Sequence, residues 1–277
     1  MPATTNAYTA TKGSPVSDLL KKRTFVIKLA KALHRYGTPS HRLESHLNNT
    51  CQFLQIKADF MVTPTFMTFD FREEEETNHY NKIARLIPGE LDLGSLARTD
   101  VVVDKLASGE LTLDEAEQQL DNISTSPISY SPPILLLAFV INGPAFTILM
   151  NGGAHDVFWS AVLGLVVFTV IRFAEKHDSL TNMLEPLVAI ITAFLAVAIS
   201  HIDPHINASL ILLSSIITFI PGLALLIALS ELADKHMVSG SARLMDATMQ
   251  MFKLFFGSLL GFTFARLAFG QASLEPV

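Results

Sequence analysis

Hydrophobic and polar positions divide the chain into two regimes. Up to Ile123 apolar residues recur at short periods among polar ones, and from Ile134 onward they run in long, nearly unbroken stretches. In the first regime, Asp18–Tyr36 carries Leu19, Phe25, Val26, Leu29 and Leu33 at helical spacing, and Gly37 stops it as a glycine just past a helix end does. Thr38-Pro39 reads as the N-cap and first residue of a second helix, which reaches about Phe53 with Leu43, Leu47, Cys51 and Leu54 on one face. Ile56–Arg72 is rich in Phe, Val and Thr in near-alternation, and Pro64 splits it; the pattern predicts two short strands of a hairpin or small sheet. Glu73–Glu76 reads as a solvated acidic turn. A helix over Leu93–Ser108 ends at Gly109, and Thr112 with Glu115 forms a capping box that opens Leu113–Ile123.

The second regime holds five apolar stretches, near Ile134–Met150, Val157–Phe173, Leu187–Ile202, Ile206–Leu229 and Met251–Phe269. A straight membrane span needs about 20 residues, with about 17 as the low end, so each is read as a transmembrane helix. The expected fold class is an α-helical polytopic membrane protein, five transmembrane helices preceded by a small α+β domain. The boundaries are a disordered N-terminus over 1–17, the α+β domain over 18–125, a Ser/Pro linker over 126–133, the spans over 134–269 and a short tail over 270–277.

Composition sharpens this division. Of the 277 residues 49% are apolar and only 17% charged, whereas a soluble domain carries nearer a quarter. Residues 1–130 hold 14 of the 20 Lys/Arg and 17 of the 26 Asp/Glu. A purely soluble enzyme and a purely secreted domain are excluded. The net charge of −6 argues against a nucleic-acid partner, and the single Cys51 excludes an intrachain disulfide and a cysteine-based zinc site. The first residues lack the apolar core of a cleavable signal. Basic residues alternate between the ends of the spans: Arg172, Lys176, Lys235, Arg243 and Lys253 fall at one end, and the opposite loops have none. Lys and Arg prefer the cytoplasmic side, so the N-terminal domain is expected in the cytoplasm and the C-terminus across the membrane.

Candidate chemistry lies where polar or helix-breaking residues enter apolar stretches, because such groups are costly in lipid. Asn142-Gly143-Pro144 in the first span and Ser214-Ser215, Thr218 and Pro221-Gly222 in the fourth are two potential breaks. Transporters build substrate sites from interrupted helices, and a tolerated proline kink is the plainer alternative. Asn142, Pro144, Ser215, Thr218, Pro221 and Gly222 are therefore the candidate substrate residues, with Glu231 and Arg243 at the cytoplasmic mouth or joined in a loop ion pair. Gly257 and Gly261 mark a close helix contact. His34, His41 and His46 lack the spacing of a metal site, so no metal is expected. No nucleophile, nucleotide or dinucleotide signature is present; no enzyme activity and no cofactor are expected.

Several segments in this order resemble the threonine/serine exporter family, which includes fungal pheromone-regulated membrane proteins. They are Leu33–Glu44 around Gly37, Ala107–Ala116, the Asn151-Gly152-Gly153-Ala-His-Asp156 turn, and Pro221-Gly222 followed by Ser230-Glu231-Leu232 and Ser239-Gly240-Ser241-Ala242-Arg243. The resemblance runs from about Arg23 to Ala268. It implies a secondary exporter of small amino acids or related carboxylates, and it marks Gly37, Glu44, Gly152, Asp156, Pro221, Gly222, Glu231, Gly240 and Arg243 as family-motif positions. Family members have about ten spans, and this chain resembles the N-terminal half. A separate second-half subunit or a homo-oligomer in the lipid is therefore expected to complete it. The other open reading is a membrane-anchored regulatory or structural protein without transport activity.

Overall fold

A computed structural model describes residues 15–72, 79–87, 89, 91–126, 130–181 and 183–270. Of the expected disordered N-terminus, residues 1–14 lie outside the described residues and 15–17 are instead the first residues of a helix; the acidic run Glu73–Glu76 and the tail beyond Gly270 also lie outside the described residues. The chain divides into two compact units. One comprises Met1–Ile128 with Leu226–Arg243, and the other Ser129–Leu225 with Leu244–Val277. The sequence places Leu226–Arg243 among the spans; by packing, this segment belongs with the N-terminal unit.

In the first unit, α1 (Pro15–Arg35) and α2 (Ser40–Leu54) are followed by β1 (Lys57–Val62), β2 (Phe66–Arg72) and β3 (His79–Arg85), then α3 (Leu93–Ala107) and α4 (Leu113–Thr125). The strands form an antiparallel sheet in the order β1-β2-β3, with Phe60 opposite Phe69 and Phe71 opposite Tyr80. Two of these strands are those expected. The third was not, because β3 is polar and buries only Ala84, so no apolar alternation marks it. Phe25, Leu29 and Leu33 of α1, Leu43 and Leu47 of α2, and Met67, Phe69 and Phe71 of β2 form the centre of one core. Gly37 adopts φ +81, and the Thr38 amide donates to the Leu33 carbonyl at 3.1 Å, closing α1 as the glycine predicts. The Thr112–Glu115 capping box is formed on both sides. The expected Thr38 cap is not made: Pro39 holds the N-cap position of α2, and the Thr38 hydroxyl is buried without a hydrogen-bond partner.

The second unit is built from α5 (Pro132–Leu149), α6 (Ala154–Ala174), the single turn α7 (Asp178–Thr181), α8 (Leu184–Ile202) and α9 (Ala208–Ile216). A 3-10 turn (Ile217–Phe219) leads from α9 to α10 (Gly222–Ala233), and α11 (Met237–Phe269) follows; the second unit takes α10 up to Leu225 and α11 from Leu244, and the rest of both belongs to the first unit. Four helices, α5, α6, α8 and α11, are long and apolar enough to cross a membrane, and α9 with α10, bent by 56° at their break, is apolar enough together to be a fifth, broken span or a re-entrant segment. Of the two readings of Pro144 the plainer one holds: α5 runs unbroken through it, with the Thr147 hydroxyl donating to the Gly143 carbonyl at 3.0 Å. One expectation is corrected. α11 begins at Met237 rather than Met251: Arg243, Asp246 and Gln250 lower the hydropathy of its first turns, but nothing there ends a helix. Arg243 therefore lies on a helix and not in a loop.

Glycines set the helix spacing in this unit. A β-carbon at Gly164 would lie 2.4 Å from the Phe139 carbonyl oxygen of α5, and one at Gly261 would lie 2.4 Å from that of Ile190 and 2.6 Å from the Ala193 Cβ of α8. Such close approach is what small residues supply where lipid removes the hydrophobic drive for helices to associate. Gly261→Ala is expected to force α11 from α8 and to cost about 1–3 kcal/mol, the usual toll of overpacking. Gly222→Ala meets nothing within 4 Å and should leave stability unchanged. Thermal unfolding of the full chain in detergent compares the two.

Candidate functional site

The family-motif residues fall into two groups, one in each unit. In the first unit the α10–α11 turn is closed by Lys235 at φ +66 and by the His236 amide donating to the Glu231 carbonyl at 2.9 Å. Gly240 lets the start of α11 lie against α10, since a β-carbon there would sit 2.8 Å from Leu232 Cγ and 3.0 Å from the Ala228 carbonyl oxygen. This brings Arg243 to Glu231. The Glu231 side chain is fully buried, and its Oε2 lies 3.2 Å from Arg243 Nε. Its Oε1 accepts the backbone N–H of Ser40 at 2.8 Å. Ser40 is the first residue of α2, so a carboxylate 191 positions along the chain caps that helix in place of a local side chain. The position suits a negative charge, because unpaired amides and the helix dipole meet there.

Neighbouring groups fix the same corner. Glu44 Oε1 accepts the Val62 amide at 3.2 Å, and the Ser239 hydroxyl donates to the Val62 carbonyl at 3.4 Å. His41 Nδ1 lies 3.4 Å from Asp234 Oδ2. His34 is buried as well. Burial first, and then the charge of Arg243, push its imidazole below the ordinary histidine range, while the Thr63 backbone and Glu231 pull the other way. Glu231 and Arg243 were expected at a cytoplasmic mouth or in a loop ion pair. They are paired, but inside the fold. Ser40 and His34 lie inside the Leu33–Glu44 segment but were not among its marked positions, since one contributes a backbone amide and the other is a single histidine on a helix. Cys51 is buried and its thiol is pushed up to about 12 by burial, which leaves it unreactive.

In the second unit Asp156 is buried and ties two turns together. Its Oδ2 accepts the Gly153 amide at 2.9 Å at the start of α6, and its Oδ1 accepts the Asn207 amide at 2.7 Å ahead of α9. Gly152 is needed beside it, because a β-carbon there would lie 2.4 Å from Thr147 Cγ2. Of the candidate substrate residues, Asn142 and Thr218 come together, with Asn142 Nδ2 donating to Thr218 Oγ1 at 2.7 Å. Gln250 Nε2 donates to the carbonyl of Phe219 at 3.1 Å, at the break that Pro221 makes. Gln250 was missed because the last span was begun one residue after it. Ser215 does not join this group: it is buried, and its hydroxyl donates to Ile211 of its own helix at 2.6 Å. Pro144 lies within the continuous α5, and Gly222 opens α10, its amide donating to the Ile220 carbonyl at 2.8 Å.

Two measurements test the buried corner. Arg243→Ala leaves the Glu231 charge without its counter-ion and should cost about 2–3 kcal/mol, discounted for the partial exposure of Arg243, whereas adding Glu231→Ala should recover part of the loss. Chemical unfolding of the full chain gives both values. His34 stays neutral in the fold while the unfolded imidazole protonates near 6.5. Its contribution is therefore complete above that pH and is lost as the pH falls below it. His34→Gln should flatten the decline in unfolding midpoint between about pH 7 and pH 5.

The threonine/serine exporter family model (ThrE) matches residues 24–265. Among curated proteins, the chain is 29% identical over 253 residues to pheromone-regulated membrane protein 10 of Yarrowia lipolytica, covering 89% of this chain and 21% of that protein. The protein of the same name from Debaryomyces hansenii is 28% identical over 250 residues, covering 89% and 25%. The uncharacterized protein C7D4.12c of Schizosaccharomyces pombe is 27% identical over 252 residues, covering 89% and 33%. The chain thus spans between a fifth and a third of the length of these relatives. No solved structure matches it. With the family match extending from the first helix into the last, and with four to five apolar spans, the chain belongs to the threonine/serine exporter family of membrane proteins.

Proposed function

We propose that this chain is one half of a secondary exporter for small zwitterionic amino acids or related carboxylates, with its N-terminal unit on the cytoplasmic side. The observation that carries the reading is the bent fifth span. Its break at Pro221 gathers Asn142, Thr218 and Gln250, polar groups that lipid penalises and that need a reason to be there. Interrupted helices present backbone dipoles that bind small charged groups. The three side chains carry no charge, which matches the balanced charge of a zwitterion better than a dianion. The clustering of Arg172, Lys176, Lys235, Arg243 and Lys253 at alternate span ends supports the orientation. A second set of spans, from another chain or a second copy in the bilayer, completes the path by moving against this one. With no nucleotide signature in the sequence, an ion gradient drives the cycle.

The test is flux of labelled threonine, serine and succinate in vesicles holding the full chain, with and without a candidate second set of spans. Asn142→Ala and Thr218→Val each remove a hydrogen-bonding group worth about 1 kcal/mol and should slow threonine and serine efflux roughly five- to tenfold at equal protein recovery. Flux equal to that of empty vesicles in every combination would overturn the reading. A cellular phenotype that survives Pro221→Ala but not removal of residues 18–125 would instead favour a membrane-anchored regulator.

A further inference from the structure

The loop end of the second unit holds a cluster that the proposed path does not use. Asp203 caps α8 and collects three donors. Its Oδ2 accepts His155 Nδ1 at 2.6 Å and Trp159 Nε1 at 3.1 Å, and its Oδ1 accepts the His205 amide at 3.2 Å. We propose that His155, oriented by Asp203, is a proton-binding site. An ionised carboxylate only accepts, so the proton of the neutral ring sits on Nδ1 and the lone pair of Nε2 is left free. The His155 side chain is 57% exposed, whereas that of Asp203 is 16% exposed, so the base faces outward and its orienting partner inward. The hydrogen bond from His155 is also the first cause holding the Asp203 carboxyl below the usual carboxylate range.

The other titratable groups at this end leave His155 as the acceptor. Asp156, on the same turn of α6, is buried with each oxygen already taken by a backbone amide. The His205 ring lies 5.4 Å from that of His155, close enough for a charge on one ring to oppose a charge on the other. His201 lies in the last turn of α8, its ring 5.1 Å from that of Phe269, and Arg266 is one turn before Phe269 on α11. Among the described residues no three His, Cys, Asp or Glu side chains converge to hold a metal ion. Proton uptake at Nε2 turns a neutral donor to Asp203 into a charged one, and charge-assisted hydrogen bonds are shorter and stronger. The contact joins the first turn of α6 to the end of α8. A proton therefore tightens this clamp and its loss slackens it. If the chain is an exporter half, the site is where a coupled proton is exchanged at the end of the bundle away from the basic loops; that clause alone rests on the proposed function.

Trp159 is the single tryptophan of the chain and shares the Asp203 oxygen with His155, so its emission reports the site directly. The full chain in lipid nanodiscs is titrated by intrinsic fluorescence between about pH 5 and pH 8, the interval in which histidine changes charge. The expected result is one sigmoidal change in emission. His155→Gln should abolish it and His205→Gln should retain it. Asp203→Asn, which keeps the shape and removes the charge that strengthens the contact, should reduce its amplitude. A flat wild-type titration, an unchanged transition in His155→Gln, or an undiminished one in Asp203→Asn overturns the proposal. Circular dichroism at the alkaline end checks that each variant is folded. Flux measured against pH in vesicles is the separate arm: an intact titration with no flux would sink the transport reading and leave the proton site standing.

Discussion

The first unit turns on one buried carboxylate. Glu231 has no access to water, and an isolated charge so placed is prohibitively costly. It is sustained by the amide end of α2 on one oxygen and the guanidinium of Arg243 beside the other. Both depend on glycines elsewhere. Gly37 turns the chain so that α2 starts where it does, and Gly240 admits the first turns of α11 close enough to deliver Arg243. Three other family-motif positions, Gly37, Gly240 and Arg243, thus serve this single charge from segments far apart in the chain.

The second unit solves a different problem. Its helices cannot be driven together by water, so contact is bought with glycines at Gly143, Gly164, Gly257 and Gly261, which allow backbone to meet backbone. Polar side chains inside this packing satisfy one another, as the Thr147 and Ser214 hydroxyls do, hydrogen-bonded at 2.8 Å. The exceptions stand out against that background. Asn142 and Thr218 are exposed on the described surface and lie by the one span that is bent, which is why the break rather than the buried serines carries the functional reading.

Local structure was legible wherever a residue acts on its neighbours. The Gly37 turn, the Thr112–Glu115 cap and the apolar stretches needed no partner from elsewhere, and each stands where periodicity and turn chemistry put it. What escaped was non-local. Two prolines offered either a break or a tolerated kink, and the residues around them could not say which: α5 continues through Pro144, and the helix breaks at Pro221. The β3 strand is held by pairing with β2 and has no pattern of its own. The capping of α2 by Glu231 could not be inferred from either segment alone, since a proline occupies the position where a capping side chain is sought. Hydropathy likewise truncated α11 at its amphiphilic start.

The fate of Cys51 has a practical side. The chain carries one thiol, and that thiol is sequestered in the core with its ionisation suppressed. Residues 1–277 are thus already a silent background for maleimide labelling. In a protein of these residues, a reporter cysteine at an exposed turn position such as Lys176 or Pro204 can be read without first removing Cys51, and the side of the bilayer each loop occupies becomes a question of which reagent reaches it.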